Sequence, residues 1–219
     1  MNQGRRSAAI VCVGGLIVCL AVLGCKPATS KAVAPVIDGD LSDAIWKTCE
    51  VPGDWTDVGL SQPVKTKPRV CVTCDDVNLY VAFFNPEKDM KSIVADATER
   101  DGEVWTDDSN EVFIDPTGKR EDYYQIIVNT KGVIRDAKTQ DVDWDSKAAA
   151  KVKMMDDGWS VEMAIPLADL GIQGSAKGQT WAFNFCRNRR TTGEAENQAW
   201  ADTGESFHNP EAFKNLTLK

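Results

Sequence analysis

The chain has 219 residues, 42% of them hydrophobic, with 33 acidic against 25 basic side chains and a formal net charge of -8. Such an acidic balance opposes binding to nucleic acid or to an anionic membrane and suits neutral sugars or a hard cation. With one histidine in the whole chain, a metal centre built on several imidazoles is excluded.

The first segment reads as a leader. Arg5 and Arg6 precede a charge-free apolar run from Ala8 to Gly24. The length and position of that run fit a secretory signal over residues 1–24 better than a membrane span. It ends in Val22-Leu-Gly-Cys25, which resembles a bacterial lipobox. The resemblance implies that Cys25 becomes the acylated first residue of the mature chain, with a lipid anchor to the membrane and an extracytoplasmic place in the cell envelope. An uncleaved anchor and ordinary secretion are the alternatives. Residues 25–34 have the small, polar, Pro-containing composition of a tether. Losing the leader makes the chain two charges more negative, because Arg5 and Arg6 leave and no acid does. The ~185 residues that remain, 35–219, suit one domain.

That domain opens on a turn at Asp38-Gly-Asp40, then Ser42 and Asp43 cap a short helical turn carrying Ile45 and a packed Trp46. Residues 51–67 read as loop, with a strand near Thr56 to Leu60. A hairpin follows from Lys67 to Phe84 around Asp75-Asp-Val-Asn78, with Val70, Val72 and Cys74 on one face. Residues 92–102 are a polar loop or helical turn. Ser109 to Asp115, Tyr123 to Asn129 and Val133 to Ala137 alternate as strands, the last two joined by a turn that needs Gly132. Gln140 to Ser146 is an acidic loop with Trp144. Ala149 to Met155 and Trp159 to Ile165 form a hairpin around Asp156-Asp-Gly158. Pro166 to Leu170 is a short helix closed by Gly171. Thr180 to Arg187 is a strand with Trp181, Phe183 and Phe185 on one face, and short strands follow near Gln198 to Ala201 and Phe213 to Leu218. Strands joined by short turns, with no βαβ rhythm, predict an all-β antiparallel sandwich of immunoglobulin or jelly-roll type.

One stretch joins a turn bearing a large aromatic and two acids, Trp105-Thr-Asp-Asp108, to a rigid strand, Ser109-Asn-Glu-Val-Phe-Ile-Asp115. Trp105 is then either a core residue at a strand end or a flat apolar face offered to a ligand. Five more pieces accompany it in order: Ile37-Asp-Gly-Asp-Leu-Ser-Asp-Ala-Ile-Trp46, Arg69 to Phe83, Asp157-Gly-Trp-Ser-Val-Glu-Met-Ala-Ile-Pro166, Trp181-Ala-Phe-Asn-Phe-Cys-Arg-Asn-Arg189 and Phe207-His-Asn-Pro-Glu-Ala-Phe-Lys-Asn-Leu216. The series resembles the family 9 carbohydrate-binding modules and their DOMON-like β-sandwich relatives, from about Val36 to Lys219.

In that family two aromatics clamp a terminal sugar, and polar side chains bond its hydroxyls. The resemblance puts the clamp at Trp105 and Phe207, with Glu111 as the strand acid and Asn85 at the end of the Leu-Tyr-Val strand. It also departs from the pattern. The family's arginine falls on Ile127, its asparagine near Gly204, and Phe207 replaces a tryptophan. The implied function is non-catalytic binding of an oligosaccharide or polysaccharide in support of carbohydrate catabolism. The alternatives are a scaffold for envelope protein partners and a DOMON-like haem domain ligated from among Met90, Met154, Met155, Met163 and His208. The residues select no catalytic pair or triad. No cofactor is required, although Asp75, Asp76, Asp107, Asp108 and Asp115 offer the oxygens that a structural calcium takes.

Four cysteines remain beyond Cys25. Cys71-Val-Thr-Cys74 looks like a chelating motif, but on a strand its side chains point to opposite faces, roughly 10 Å apart. Free buried thiols or one long-range disulfide in an oxidising compartment are the readings left for Cys49, Cys71, Cys74 and Cys186.

Overall fold

Alternation of apolar and polar residues builds two antiparallel sheets in the computed structural model. It describes Met1 and residues 33–139, 141–191 and 196–219. The expected leader beyond Met1, Cys25 and the tether as far as residue 32 lie outside these residues. The smaller sheet has the order β3-β4-β9-β8, formed by β3 (Arg69–Cys74), β4 (Asn78–Pro86), β8 (Ala149–Met155) and β9 (Gly158–Pro166).

The larger sheet has eight strands. They are β1 (Thr56–Asp57), β2 (Gln62–Pro63), β5 (Ser109–Asp115), β6 (Tyr124–Asn129), β7 (Ile134–Lys138), β10 (Thr180–Arg189), β11 (Glu196–Ala199) and β12 (Lys214–Thr217). Their order is β2-β1-β11-β10-β5-β6-β7, with β12 also on β10. At ten residues, β10 is long enough for its first half to pair with β12 and its second half with β11, while β5 takes the other edge. Among the described residues the helices are single 3₁₀ turns.

The period of two decides what each face does. Val70 and Val72, Leu79, Val81 and Phe83, and Trp159, Val161, Met163 and Ile165 project inward from the smaller sheet. Val112, Ile114, Ile126, Val128, Trp181, Phe183 and Phe185 meet them from the larger one. Phe183 stacks on Phe185 at 5.5 Å, and Phe83 meets Phe185 edge-on at 6.1 Å. Cys74 packs toward this core whereas Cys71 faces away from it, as the strand spacing requires.

The two outer faces are covered differently. On the smaller sheet, the turn Ala44–Lys47 lays Trp46 over Tyr80 and Ala82. The buried Glu162 carboxylate fixes that turn by accepting from Trp46 Nε1 at 2.6 Å and from the Asp38 and Gly39 amides. Gly39 is needed there: its φ is +90°, and a Cβ would come within 2.7 Å of the Val152 backbone. On the larger sheet, a second apolar cluster of Phe113, Tyr123, Ala182, Cys186, Ala199 and Phe213 is covered by the chain that precedes β12.

Two local expectations change. Residues 167–170 form successive turns rather than a helix, with bonds from Asp169 N to Pro166 O and from Leu170 N to Leu167 O. The stretch expected to hold one strand near Thr56 holds two, because β1 folds back through Ser61, at φ 48°, onto β2.

Candidate functional site

Odd-numbered residues of β5 and β6 face outward on the larger sheet, and register sets them in rows with β7 and β10. Glu111 lies opposite Cys186 on β10 and Ile127 on β6, and Ile127 lies opposite Arg135 on β7. One step along, Phe113 lies between Asn184 and Gln125. The apolar lower rows are covered by the segment that carries Phe207. The upper rows stay open as a cavity of about 610 Å³, walled by Trp105 and Phe207 and floored by Glu111, Gln125, Ile127 and Asn188. That volume is in the range of small-ligand sites.

Trp105 is held at the rim by its neighbours. The turn Val104–Thr106 plants Val104 in the interior, and the next residue, Asp107, is also buried. The Asp107 carboxylate accepts from the Asp96 and Ala97 amides and from Asn129 Nδ2 at 2.7–3.1 Å. Asp108 ties Val94 N and Arg190 N in the same way. With both flanks pinned, the indole is left 37% exposed, and Arg135 lies over its ring at 4.6 Å. Arg190 bonds the Trp105 carbonyl at 3.0 Å.

The opposite wall rests on aromatics. Phe207 meets Phe113 at 6.3 Å and His208 meets it at 5.2 Å, both edge-on. His208 Nδ1 shares a 2.9 Å hydrogen bond with Tyr123 Oη. Burial lowers the His208 pKa from the ordinary 6.5, so the imidazole is neutral at pH 7.

The floor is a chain of polar contacts. Gln125 Nε2 donates to Glu111 Oε2 at 2.7 Å, and Asn188 Nδ2 donates to Glu111 Oε1 at 2.6 Å. Asn188 Oδ1 in turn accepts from Arg190 at 3.2 Å. Burial raises the Glu111 pKa, and the two amides offset part of that rise. The arrangement can present planar amides, a carboxylate and two guanidinium groups to hydroxyls, between two aromatic walls.

Trp105, Glu111 and Phe207 therefore share one cleft, whereas Asn85 does not belong to it. Asn85 has the inward parity of Leu79, Val81 and Phe83. It is fully buried between the sheets, where its amide exchanges bonds of 2.7 and 3.0 Å with Asn110. The cleft also sits on the outer face of a sheet, not at the rim of the sandwich. Gln125, Arg135, Asn188 and Arg190 were absent from the expected site. Gln125, Arg135 and Asn188 have the outward parity of their strands, and Arg190 directly follows β10.

The expected metal and haem ligands fall elsewhere. Asp115 receives Thr117 N, Gly118 N and Arg120 N, and Asp75 receives Val77 N and Asn78 N, so both serve turns. Among the described residues, the carboxylates close enough to share a cation are Asp101, Asp136 and Asp145. Arg100 already stands among them, 2.6 Å from Asp136, 3.4 Å from Asp145 and 3.6 Å from Asp101. Asp136 keeps one oxygen, Oδ1, without a partner. Arg100 thus pairs with all three carboxylates, and a cation bound there would compete with the guanidinium. As for haem, Met163 is buried between the sheets, while His208 is on the outer face of the larger sheet. Met90 packs on the inter-sheet core, and Met154 and Met155 belong to β8 on the smaller sheet. None of them faces His208 across one ligand plane.

Known proteins are similar to this chain. Endo-1,4-beta-xylanase A of Thermotoga neapolitana is 28% identical over 205 residues, which is 89% of this chain but 18% of that protein. The chain thus spans less than a fifth of that curated relative. A family 9 carbohydrate-binding module from Caldicellulosiruptor kristjanssonii, solved with cellotriose, superposes with a TM-score of 0.62 at 23% identity, covering 85% of this chain and 90% of its own. The same module solved with glucose superposes equally well, with 22% identity and 92% of its chain covered. These neighbours share the antiparallel β-sandwich. Residues 37–219 match the family described as carbohydrate family 9 binding domain-like, and the chain belongs to that family.

Proposed function

We propose that this protein is a non-catalytic carbohydrate-binding domain that seats a unit of an oligosaccharide or polysaccharide between Trp105 and Phe207. One observation carries the reading. Two aromatic side chains far apart in sequence line one cavity, over a floor of amides and a carboxylate. A sugar ring has apolar C–H faces and a polar rim, and that combination of walls and floor complements it. The arginine expected in the family falls on Ile127, but Arg135, its partner on the next strand, brings a guanidinium to the same cavity. Arg190 brings a second.

The Caldicellulosiruptor module solved with cellotriose and glucose makes those two sugars the first ligands to try. A glycan-array screen of the protein, run beside Trp105→Ala, tests the reading. Binding of one glycan class by the wild type and its loss in the variant are expected; equal signals from both would remove the cleft from the site.

We also propose that Cys25 is acylated and that the domain works at the cell envelope, supplying captured saccharide to carbohydrate breakdown. The support is the sequence Val22-Leu-Gly-Cys25. Labelling with a fatty-acid probe in cells, lost on Cys25→Ser, is the expected result. A label that persists in the variant overturns the assignment.

A further inference from the structure

Two cysteines meet on the outer face of the smaller sheet, beneath the turn Ala44–Lys47. Cys49 Sγ lies 3.1 Å from the Ile45 carbonyl oxygen, and Cys71 Sγ lies 3.0 Å from that of Trp46. These are consecutive carbonyls of one helical turn, so the two sulfurs stand side by side. The backbone agrees. Val72 N bonds Cys49 O, Val51 N bonds Val70 O, and Glu50 faces Cys71 in an antiparallel bridge. Cys49 is one residue off that bridge, which puts its Cα about 6 Å from that of Cys71. Disulfides span Cα separations of about 4.4–6.8 Å.

The chemistry of the pair is asymmetric. The neighbouring Cys49 thiol lowers the pKa of Cys71, and the same proximity, with burial, pushes Cys49 up. Cys71 is therefore the thiol that ionises first and attacks first. It is also the more open of the two, half-buried where Cys49 is 7% exposed. The other cysteines cannot compete. Cys74 is on the opposite face of β3, and Cys186 is fully buried on the larger sheet.

The geometry points to a disulfide between Cys49 and Cys71, formed by exchange with a small-molecule disulfide such as oxidised glutathione. Cys71 thiolate attacks one sulfur of the oxidant, forming a mixed disulfide and expelling one thiolate. Cys49, losing its proton, then attacks the Cys71 sulfur and expels the second. The protein loses two protons and two electrons, and the oxidant leaves as two thiols. The closed loop runs from Cys49 to Cys71 through β1 and β2, the segment that crosses from the smaller sheet to the larger. The bond would clamp that crossing to β3.

The test is peptide mapping of the full chain, purified reduced and then incubated with oxidised glutathione. Remaining thiols are alkylated and the digest is run without reductant. A linked pair of peptides containing Cys49 and Cys71 is expected, in the wild type and equally in Cys74→Ser. A Tm roughly 10 °C above that of the reduced protein is expected as well, from the loop closed and the size of the domain. Recovery of both Cys49 and Cys71 alkylated after oxidation, or a link from either one to Cys74 or Cys186, overturns the inference.

Discussion

Replacing Trp105 by alanine reports on ligand binding and on stability at once, because the side chain is partly packed and partly open. With 37% of it exposed and a full surface of roughly 250 Å², about 90 Å² is left to a ligand. At ~25 cal/mol per Å², complete coverage by a sugar face is worth about 2 kcal/mol, or roughly 30-fold in Kd. The folded state loses stability as well: the roughly 160 Å² of the residue that the fold covers is worth up to about 4 kcal/mol by the same measure. The contact with Arg135, 4.6 Å from the ring, adds about 0.5–1 kcal/mol at a site this open. For a domain of this size that is a fall in Tm on the order of 10 °C. Isothermal titration with cellotriose, or with the strongest glycan of the array, measures the first quantity, and thermal unfolding measures the second. A folded variant that binds within twofold of wild type would refute the clamp.

Three further outcomes are expected. Glu111→Gln sets one amide donor against the donors of Gln125 and Asn188 in a buried site, and should cost about 1–3 kcal/mol of stability by denaturant titration; no loss would mean that these bonds are not formed. Glu87 is buried, and although burial raises its pKa, bonds from Arg189, the Asp89 amide and Thr191 outweigh this and hold it at about 2. Because that value is below the unfolded one, its contribution is complete above about pH 4.5 and disappears as pH falls through 2. Glu87→Gln should therefore be less stable than wild type by about 3 kcal/mol at pH 7 and converge with it near pH 2; a pH-independent gap would refute the ion pairs with Arg187 and Arg189. Finally, millimolar calcium or EDTA should leave Tm unchanged, since Arg100 stands among Asp101, Asp136 and Asp145; a calcium-dependent rise would show that the ion displaces the guanidinium.

Most of the strands were legible because alternation is a local signal. Val70, Val72 and Cys74, or Trp181, Phe183 and Phe185, declare their shared face without help from the rest of the chain. The cleft was legible only through Trp105, Glu111 and Phe207, whose meeting depends on which strand lies beside which. No local pattern states that β10 lies between β5 and β11, and Asn188 and Arg190 reach the site only because it does. Asn85 is the instructive miss. A resemblance assigned it to the ligand, while its own spacing from Leu79, Val81 and Phe83 already pointed it inward. Where a pattern of two and a motif disagree about the direction of a side chain, the pattern has the firmer physical basis, since reversing it would also turn three apolar neighbours out to water. The pair β1 and β2 escaped for the opposite reason: at two residues each, they are too short to show any period.

The wall that carries Phe207 is not a strand. It is a length of irregular chain fastened at both ends, by Gly204 O to Gly59 N before it and by the Phe213 carbonyl to Arg120 after it. Between those fastenings its bonds are local turns and side-chain contacts rather than strand pairing, so residues gained or lost there would leave every sheet register intact. The gap between the two rings can thus widen or narrow by changes in a few codons, while the floor built on β5, β6 and β10 stays fixed. Relatives with this framework could diverge in the bulk of the saccharide they accept without any cost to folding.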